Sequence, residues 1–270
     1  MKMSELESGY AEVNGTKLYY EVAGDGDPLV LIHGMCLDTR MWDHQFPEFS
    51  KNFKVIRCDL RGFGRSSDPK EGEVYSDHDD LKGLLDHLNI SRAHVLGLSY
   101  GGGVVVNFTL EYPEYVLSLI PVDPTLAGYP YSGEFRKWWF SVMQAAKTSG
   151  LKEALDRFLE GEHFKAIFRN KEAIDEMKPI VYSHKGWSLL NQASQVNPDP
   201  VPASRLGEIV CPVLVVVGEL DIPDFKGIAD KIASEVQSGR KCVIKGVGHM
   251  SNIEDPKAFN EEVLSFLSSI

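Results

Sequence analysis

The chain has 270 residues, of which 43% are hydrophobic and 25% charged, and this composition is ordinary for a globular protein with a sizeable core. Its 28 lysines and arginines against 39 aspartates and glutamates leave a net charge of −11, which repels phosphate backbones and anionic membrane surfaces. We therefore expect neither a nucleic-acid partner nor a largely disordered chain.

The pattern along the chain predicts an antiparallel start followed by a parallel sheet. Segments 10–13 and 17–22 alternate in polarity and are joined by Asn14-Gly15, which is typical of a β-hairpin. Continuous apolar runs, typical of strands buried on both faces, follow at 29–32, 95–98, 213–217 and 242–244. Helix-length segments lie at 41–51, 79–88, 100–112 and 226–236. Strands that alternate with helices favour an α/β fold whose sheet is covered on both sides.

Residues 126–206 interrupt this alternation, because helical patterns dominate there. The prediction is a core domain of residues 1–125 and 207–270 with an inserted helical cap at 126–206. Candidates to line a substrate pocket are the large cap residues Trp138, Trp139, Met143 and Trp187. The first three lie on one helical face, and packing of that face against the apolar face of 151–159 is the alternative.

Cysteine usage and the absence of apolar spans favour a cytoplasmic protein. Residues 1–10 include Glu5 and Glu7 and no apolar run, so a secretory signal is not expected. No stretch of about 18 apolar residues is present to cross a membrane. The cysteines lack metal-like spacing, and reduced, mostly buried thiols are expected at Cys36, Cys58, Cys211 and Cys242.

The segment Gly97-Leu98-Ser99-Tyr100-Gly101 matches Gly-x-Ser-x-Gly between a predicted strand and a predicted helix. Such a turn strains the serine backbone, needs glycines where helix and strand crowd, and lifts the hydroxyl out at the carboxyl edge of the sheet. A phosphate-binding loop would need Lys-Ser/Thr after the last glycine, where Val104 and Val105 stand instead. Ser99 is therefore the expected nucleophile.

With these residues the chain resembles the α/β-hydrolase superfamily, in its carboxylesterase and enol-lactonase-like branch. The matching motifs are His33-Gly34, the run from Asp59 to Ser66, Gly97 to Gly101, Gly218-Glu219-Leu220-Asp221 and Gly248-His249-Met250. The resemblance implies a mostly parallel eight-stranded sheet with helices on both faces and an inserted α-helical cap. It also implies no cofactor and no metal.

A serine hydroxyl needs a base to take its proton, and His249 is the expected base. It follows the run 242–244 and precedes a helix that starts near Pro256, which places it on the sheet edge of Ser99. His33 is expected to brace its own loop. Surface or packing roles are expected for the other histidines, His44, His78, His87, His94, His163 and His184.

Three carboxylates compete to orient the histidine, and Asp221 is preferred by its position after the run 213–217 and by family order. Asp123, which follows 119–122, is the main rival because some relatives carry the acid one strand earlier. Glu219 is the remaining candidate. The resemblance further implies that the backbone amides of Met35 and Tyr100 form an oxyanion hole.

The predicted activity is hydrolysis of small carboxylic esters through an acyl-serine intermediate. A lactonase or a C–C bond hydrolase with the same residues is an alternative. The loop 35–38 lacks the longer glycine-rich stretch common in C–C hydrolases, which favours an esterase or lactonase. A small-molecule sensor without turnover is the other alternative, since it would present the same pocket.

Overall fold

The computed structural model describes residues 6–191 and 195–270, and within these ranges eight strands form one sheet. The strands are β1 (Glu7–Val13), β2 (Thr16–Ala23), β3 (Pro28–Ile32), β4 (Lys54–Cys58), β5 (Ala93–Leu98), β6 (Val116–Val122), β7 (Val213–Gly218) and β8 (Gly239–Ile244). Their order is β1-β2-β4-β3-β5-β6-β7-β8. Residues 1–5 of the amino-terminal segment and 192–194 of the predicted cap lie outside the described residues.

The sheet begins antiparallel and continues parallel, as the sequence predicts. Strand β2 pairs antiparallel with both β1 and β4, whereas every pair from β4 to β8 is parallel. The β1–β2 hairpin turns at Asn14 and Gly15, which have φ values of 47° and 76°. Two consecutive positive φ values suit the tight turn that the twist of antiparallel strands favours. The predicted hairpin and the mostly parallel sheet are therefore confirmed.

Helices cover both faces of the sheet. They are α1 (Phe46–Phe49), α2 (Asp77–His87), α3 (Tyr100–Glu111), α4 (Gly133–Thr148), α5 (Leu151–Leu159), α6 (Lys171–Tyr182), α7 (Trp187–Leu190), α8 (Pro223–Glu235), α9 (Ser251–Glu254) and α10 (Pro256–Leu267). Alternate residues of β3 belong to different hydrophobic clusters: Leu29 packs on the side of α10, and Val30 packs on the side of α2, α3 and α8. This alternation explains why the central strands are apolar without interruption.

Two local predictions are wrong in their details. The helix predicted at 41–51 is divided into a 3-10 turn, Thr39–Trp42, and the single-turn helix α1. Pro47 has no N–H to donate within a continuous helix, and it lies in the first turn of α1 instead. Strand β8 is not buried on both faces, because it forms the edge of the sheet and leaves Val243 44% exposed.

The regular elements described between β6 and β7 are helical, and α4 to α7 lie there. All four cysteines are free; Cys36 and Cys58 are buried, and Cys211 and Cys242 are half-buried. In the described part of the chain, no helix combines the length and the apolar character needed to cross a bilayer.

Candidate active site

Ser99 lies at a sharp turn between the carboxyl end of β5 and the first residue of α3. Its backbone has φ 56° and ψ −113°, a left-handed conformation that a residue with a side chain rarely adopts. Three backbone hydrogen bonds hold it there: Ser99 N–H donates to Val122 (2.8 Å), and Ser99 C=O accepts from Gly103 (3.1 Å) and Thr125 (2.9 Å). The chain thus maintains a strained serine at the edge of the sheet.

Glycines around this turn permit a very close approach of helix, strand and loop. A Cβ atom on Gly97 would lie 2.2 Å from the carbonyl oxygen of Gly101. A Cβ on Gly101 would lie 2.4 Å from the carbonyl oxygen of Ile32 in the neighbouring strand. Both neighbours are backbone atoms that cannot move aside, so the pattern Gly-x-Ser-x-Gly is a steric requirement of this turn.

His249 and Asp221 form a buried hydrogen-bonded pair. The Asp221 side chain follows β7, and its Oδ2 accepts a 2.7 Å hydrogen bond from His249 Nδ1, while Oδ1 accepts from Ile222 N at 2.7 Å. Only 2% of either residue is exposed. Burial lowers the pKa of His249 from 6.5 to about 3, so the imidazole is neutral at pH 7. Because Nδ1 carries the hydrogen, Nε2 is free to accept a proton.

Asp123, the rival acid, lies at the end of β6 beside the same pair. One carboxylate oxygen of Asp123, one of Asp221 and one ring nitrogen of His249 all lie within 4.8 Å of one another. Asp123 is fully buried and has a positive φ of 41°; its oxygens accept hydrogen bonds from Gly218 N (2.8 Å) and Ser251 Oγ (3.0 Å). Burial, followed by the charge of Asp221, raises the pKa of Asp123 well above its usual range. Burial also raises the pKa of Asp221, to about 8, so this pair of neighbouring carboxyls resists a double negative charge.

The loop after β3 carries Met35, the second residue predicted for the oxyanion hole. His33 braces this loop, because its Nδ1 donates to Gly34 O (2.9 Å) and its Nε2 accepts from Leu60 N (3.0 Å). Leu37 N closes the turn on Gly34 O at 3.3 Å. Met35 and Tyr100 both line the cavity into which Ser99 faces.

That cavity has a volume of 530 Å³ and includes Ser99 and His249 in its lining. The largest group among its other described lining residues is aromatic: Phe63, Tyr75, Tyr100, Tyr131, Phe135, Phe158, Phe164 and Phe225, together with the three tryptophans named below. A second group of lining residues carries carboxamides, namely Asn107, Asn191, Gln195 and Asn197. Among the described lining residues, Arg136 is the single lysine, arginine, aspartate or glutamate. The space and chemistry suit a small, largely uncharged molecule.

Three of the four predicted pocket residues reach this cavity. Trp138, Trp139 and Trp187 are among its lining residues. Trp138 also packs against Phe158 of α5, with ring centroids 5.8 Å apart, so it lines the cavity and contacts a neighbouring helix at once. Met143 is 7% exposed and belongs to the hydrophobic cluster of α4 and α5 rather than to the described lining, because it lies further along the helix.

His163 is a residue whose position the sequence interpretation missed. It lies in a 3-10 turn, Glu162–Phe164, and lines the cavity with its ring centroid 4.8 Å from that of His249. Its surroundings are apolar, as expected for a packing histidine, but its location beside the candidate base was not predicted. No motif or helical period marks such a residue, since the contact joins two distant parts of the chain.

These groups together can carry out acyl transfer. A strained serine, a neutral histidine with a free Nε2 and a buried carboxylate that orients that histidine provide a nucleophile, a base and its support. The backbone N–H groups at the start of α3 and in the loop after β3 are the candidate donors for a developing oxyanion. The geometry requires no metal ion for these steps.

Comparison with known proteins gives consistent matches. A family model described as the alpha/beta hydrolase fold matches residues 27–256. The chain is 26% identical to carboxylesterase YbfK of Bacillus subtilis (strain 168), over 97% of this chain and 88% of that protein. It is 28% identical to 2-hydroxy-6-oxo-6-phenylhexa-2,4-dienoate hydrolase of Comamonas testosteroni, over 98% and 99% of the two chains. The enol-lactonase from Burkholderia xenovorans LB400 superposes with a TM-score of 0.82 at 27% identity, covering 96% of this chain and all of that one.

Proposed function

The chain belongs to the α/β-hydrolase family, and from that premise we propose that it is a serine hydrolase that cleaves small carboxylic esters. Ser99 is the nucleophile, His249 the general base and Asp221 the acid that orients it. The observation that carries the proposal is the buried 2.7 Å contact between His249 Nδ1 and Asp221 Oδ2, on the same cavity as the strained Ser99.

In the acylation step, Ser99 Oγ attacks the ester carbonyl carbon while His249 Nε2 takes the hydroxyl proton. Negative charge then develops on the carbonyl oxygen, and the N–H groups of Met35 and Tyr100 stabilise it. Donors of this kind contribute about 3 kcal/mol each to the transition state. When the tetrahedral intermediate collapses, His249 gives its proton to the leaving alcohol, and the acyl group remains on Ser99.

Deacylation repeats these steps with water as the nucleophile. His249 takes a proton from the water, the new tetrahedral intermediate uses the same two N–H donors, and Ser99 leaves with the proton returned by His249. The products are a carboxylic acid and an alcohol. No redox change or additional reactant is involved, so the proposed reaction needs no cofactor.

Asp123 supports this mechanism by remaining neutral. Two ionised carboxylates at this separation would repel each other strongly in a buried site, so one of them retains a proton. A protonated Asp123 donates a hydrogen bond to Asp221, which helps Asp221 to remain ionised although its burial raises its pKa. A single negative charge then faces the imidazolium that forms during catalysis.

Lactone hydrolysis is the second candidate activity, favoured by the similarity to an enol-lactonase. A lactone is a cyclic ester, and Ser99 would open it through the same intermediate without releasing a separate alcohol. The aromatic side chains in the cavity lining suit the apolar parts of compact substrates of either kind.

We also propose a cytoplasmic location. The four cysteines are free, and free thiols are typical of a reducing compartment. Cell fractionation followed by detection of the chain would test this; recovery from an oxidising compartment would contradict it.

The direct test of function is turnover of p-nitrophenyl butyrate, a small lactone and a vinylogous diketone by the purified chain and by Ser99→Ala. We expect multiple turnovers on the butyrate and a loss of several orders of magnitude in Ser99→Ala with an unchanged melting temperature. A fluorophosphonate should label Ser99, as read by peptide mass spectrometry. Retention of a tenth of the activity in Ser99→Ala would exclude this nucleophile. A single slow turnover with a trapped adduct would indicate a sensor instead.

A further inference from the structure

His163 is a polar side chain placed in an otherwise aromatic wall of the cavity. It is 4% exposed, and its ring contacts Trp138 and Phe164 with centroid distances of 4.6 and 4.1 Å. Its ring also lies nearly perpendicular to that of His249, at an interplanar angle of 81°. His163 therefore faces the region in which a substrate would meet the proposed base.

Neither ring nitrogen of His163 forms a hydrogen bond within residues 6–191 and 195–270. Among the other buried histidines, His33 bonds to Gly34 and Leu60 and His94 bonds to Ser118, whereas His78 and His184 each leave Nδ1 without a partner. A buried imidazole without a partner costs free energy unless a ligand or water in the cavity supplies one. Phenylalanine would fill the same space among these rings without that cost. The nitrogen atoms of His163 are thus unexplained by packing.

The charge state of His163 restricts the groups that it can bind. Burial, and then the like charge of a protonated His249, lowers the pKa of His163 well below 6.5. At neutral pH the ring is therefore uncharged and offers one N–H donor and one acceptor nitrogen. A hydroxyl group matches this pair, because it can also both donate and accept. A carboxylate offers acceptors alone and would leave the acceptor nitrogen of the ring unmatched.

Resting on the proposed ester hydrolysis, we infer that His163 is a specificity-determining residue that binds a hydroxyl group on the alcohol part of the ester. The proposed leaving oxygen receives its proton from His249, and the ring of His163 lies 4.8 Å from that of His249, centroid to centroid. Because the two rings are in contact, the hydroxyl lies close to the leaving oxygen, as it does two carbons away in a glycol monoester. The substrate class is hydroxyalkyl esters, such as monoesters of a glycol.

A matched pair of esters tests this assignment. 2-Hydroxyethyl butyrate and propyl butyrate share the acyl group and the number of heavy atoms, and they differ only in a terminal hydroxyl or methyl. We would measure kcat/KM for both from butyrate release at pH 7. The wild-type chain should prefer the hydroxyl ester, because a site built to hydrogen-bond a group rejects the analogue that lacks it.

Variants separate hydrogen bonding from packing. His163→Phe preserves an aromatic ring and should lower the preference for the hydroxyl ester by about tenfold, the loss expected for one neutral hydrogen bond. His163→Gln retains a donor and an acceptor and should restore part of the preference. Phe164→Leu is the control, because it alters the same wall without changing its hydrogen-bonding groups. It should lower both rates alike and leave their ratio unchanged.

The outcomes distinguish the inference from the proposed function. A wild-type ratio near one overturns the inference without any variant, and so does an unchanged ratio in a folded His163→Phe. If the wild-type chain hydrolyses neither butyrate nor p-nitrophenyl butyrate, the proposed ester hydrolysis itself fails. A preference that falls in His163→Phe and returns in His163→Gln supports the assignment, since a purely structural role would change both rates together.

Discussion

The two neighbouring carboxyls should respond very differently to replacement by an amide. At Asp221 the change removes a negative charge that lies 2.7 Å from His249 Nδ1. With an effective dielectric constant of about 20, a carboxylate and an imidazolium at that separation attract each other by about 6 kcal/mol. An amide can also hold the imidazole in the wrong tautomer, and this costs about 10⁴ in turnover, or about 5.4 kcal/mol of transition-state stabilisation. We therefore expect Asp221→Asn to lose about four orders of magnitude.

Asp123→Asn should stay within about fivefold of wild-type turnover, because the change replaces one neutral hydrogen-bonding group with another. The amide oxygen can still accept from Gly218 N, and the amide NH₂ can donate toward Asp221 as the protonated carboxyl does. Asp123→Leu is the contrasting variant. It offers no donor to Asp221 and no acceptor to Gly218, so both turnover and melting temperature should fall.

The assay is kcat/KM on p-nitrophenyl butyrate, with the active fraction titrated by an organophosphate and the fold checked by thermal melts. A loss of 10³ or more in Asp123→Asn with little loss in Asp221→Asn would move the catalytic acid to the end of β6. Large losses in both variants would contradict a neutral Asp123 and indicate that the two carboxyls share one ionised, catalytic state.

Three further predictions concern the base, the cavity and the turn. Because burial lowers the pKa of His249 below 6.5, kcat/KM should be constant above pH 6.5 and decline only at lower pH as the imidazole becomes protonated; a midpoint above pH 7 would contradict this. Trp138→Ala or Trp139→Ala should shift the preference among acetate to decanoate esters toward longer acyl chains, because each additional methylene that the pocket accommodates contributes up to about 1–3 kcal/mol of binding. An unchanged chain-length profile with lower melting temperatures in both variants would assign the tryptophans to packing alone. Gly97→Ala should lower the melting temperature by roughly 5 °C or more, because its Cβ would lie 2.2 Å from Gly101 O, and an unchanged melting curve would show that the turn is looser than described.

The sheet could be predicted from the sequence because its signals are local. Continuous apolar runs indicated β3, β5 and β7, and the Asn14-Gly15 pair marked the hairpin. The same signals failed at β8, where an apolar run does not reveal that the strand lies at an edge. Between 41 and 51 the apolar periodicity was helical, but the position of Pro47 decided where the helix could begin.

The candidate site was only partly predictable. Ser99, Asp221 and His249 each follow a recognisable strand, and the carboxyl ends of parallel strands meet at one edge of a sheet. The proximity of Asp123 to Asp221 was harder to foresee, since two acids expected to be alternatives lie together. His163 could not be found at all, because its contact with His249 depends on how the segment between β6 and β7 folds over the sheet.

The positive φ angles of Ser99 and Asp123 have a consequence for attempts to make this chain heat-tolerant. The two residues end adjacent strands, and each is held in a conformation that costs on the order of 1–3 kcal/mol for a residue with a side chain. The free energy of unfolding of a domain is typically about 5–15 kcal/mol, so the strain at these two positions is a noticeable fraction of it. A library screened for survival of heating alone would reward glycine at position 99, whereas glycine at position 123 would also lose the buried acceptor for Gly218 N. Screening must therefore combine heat with catalysis, and useful stabilising changes are to be sought away from the ends of β5 and β6.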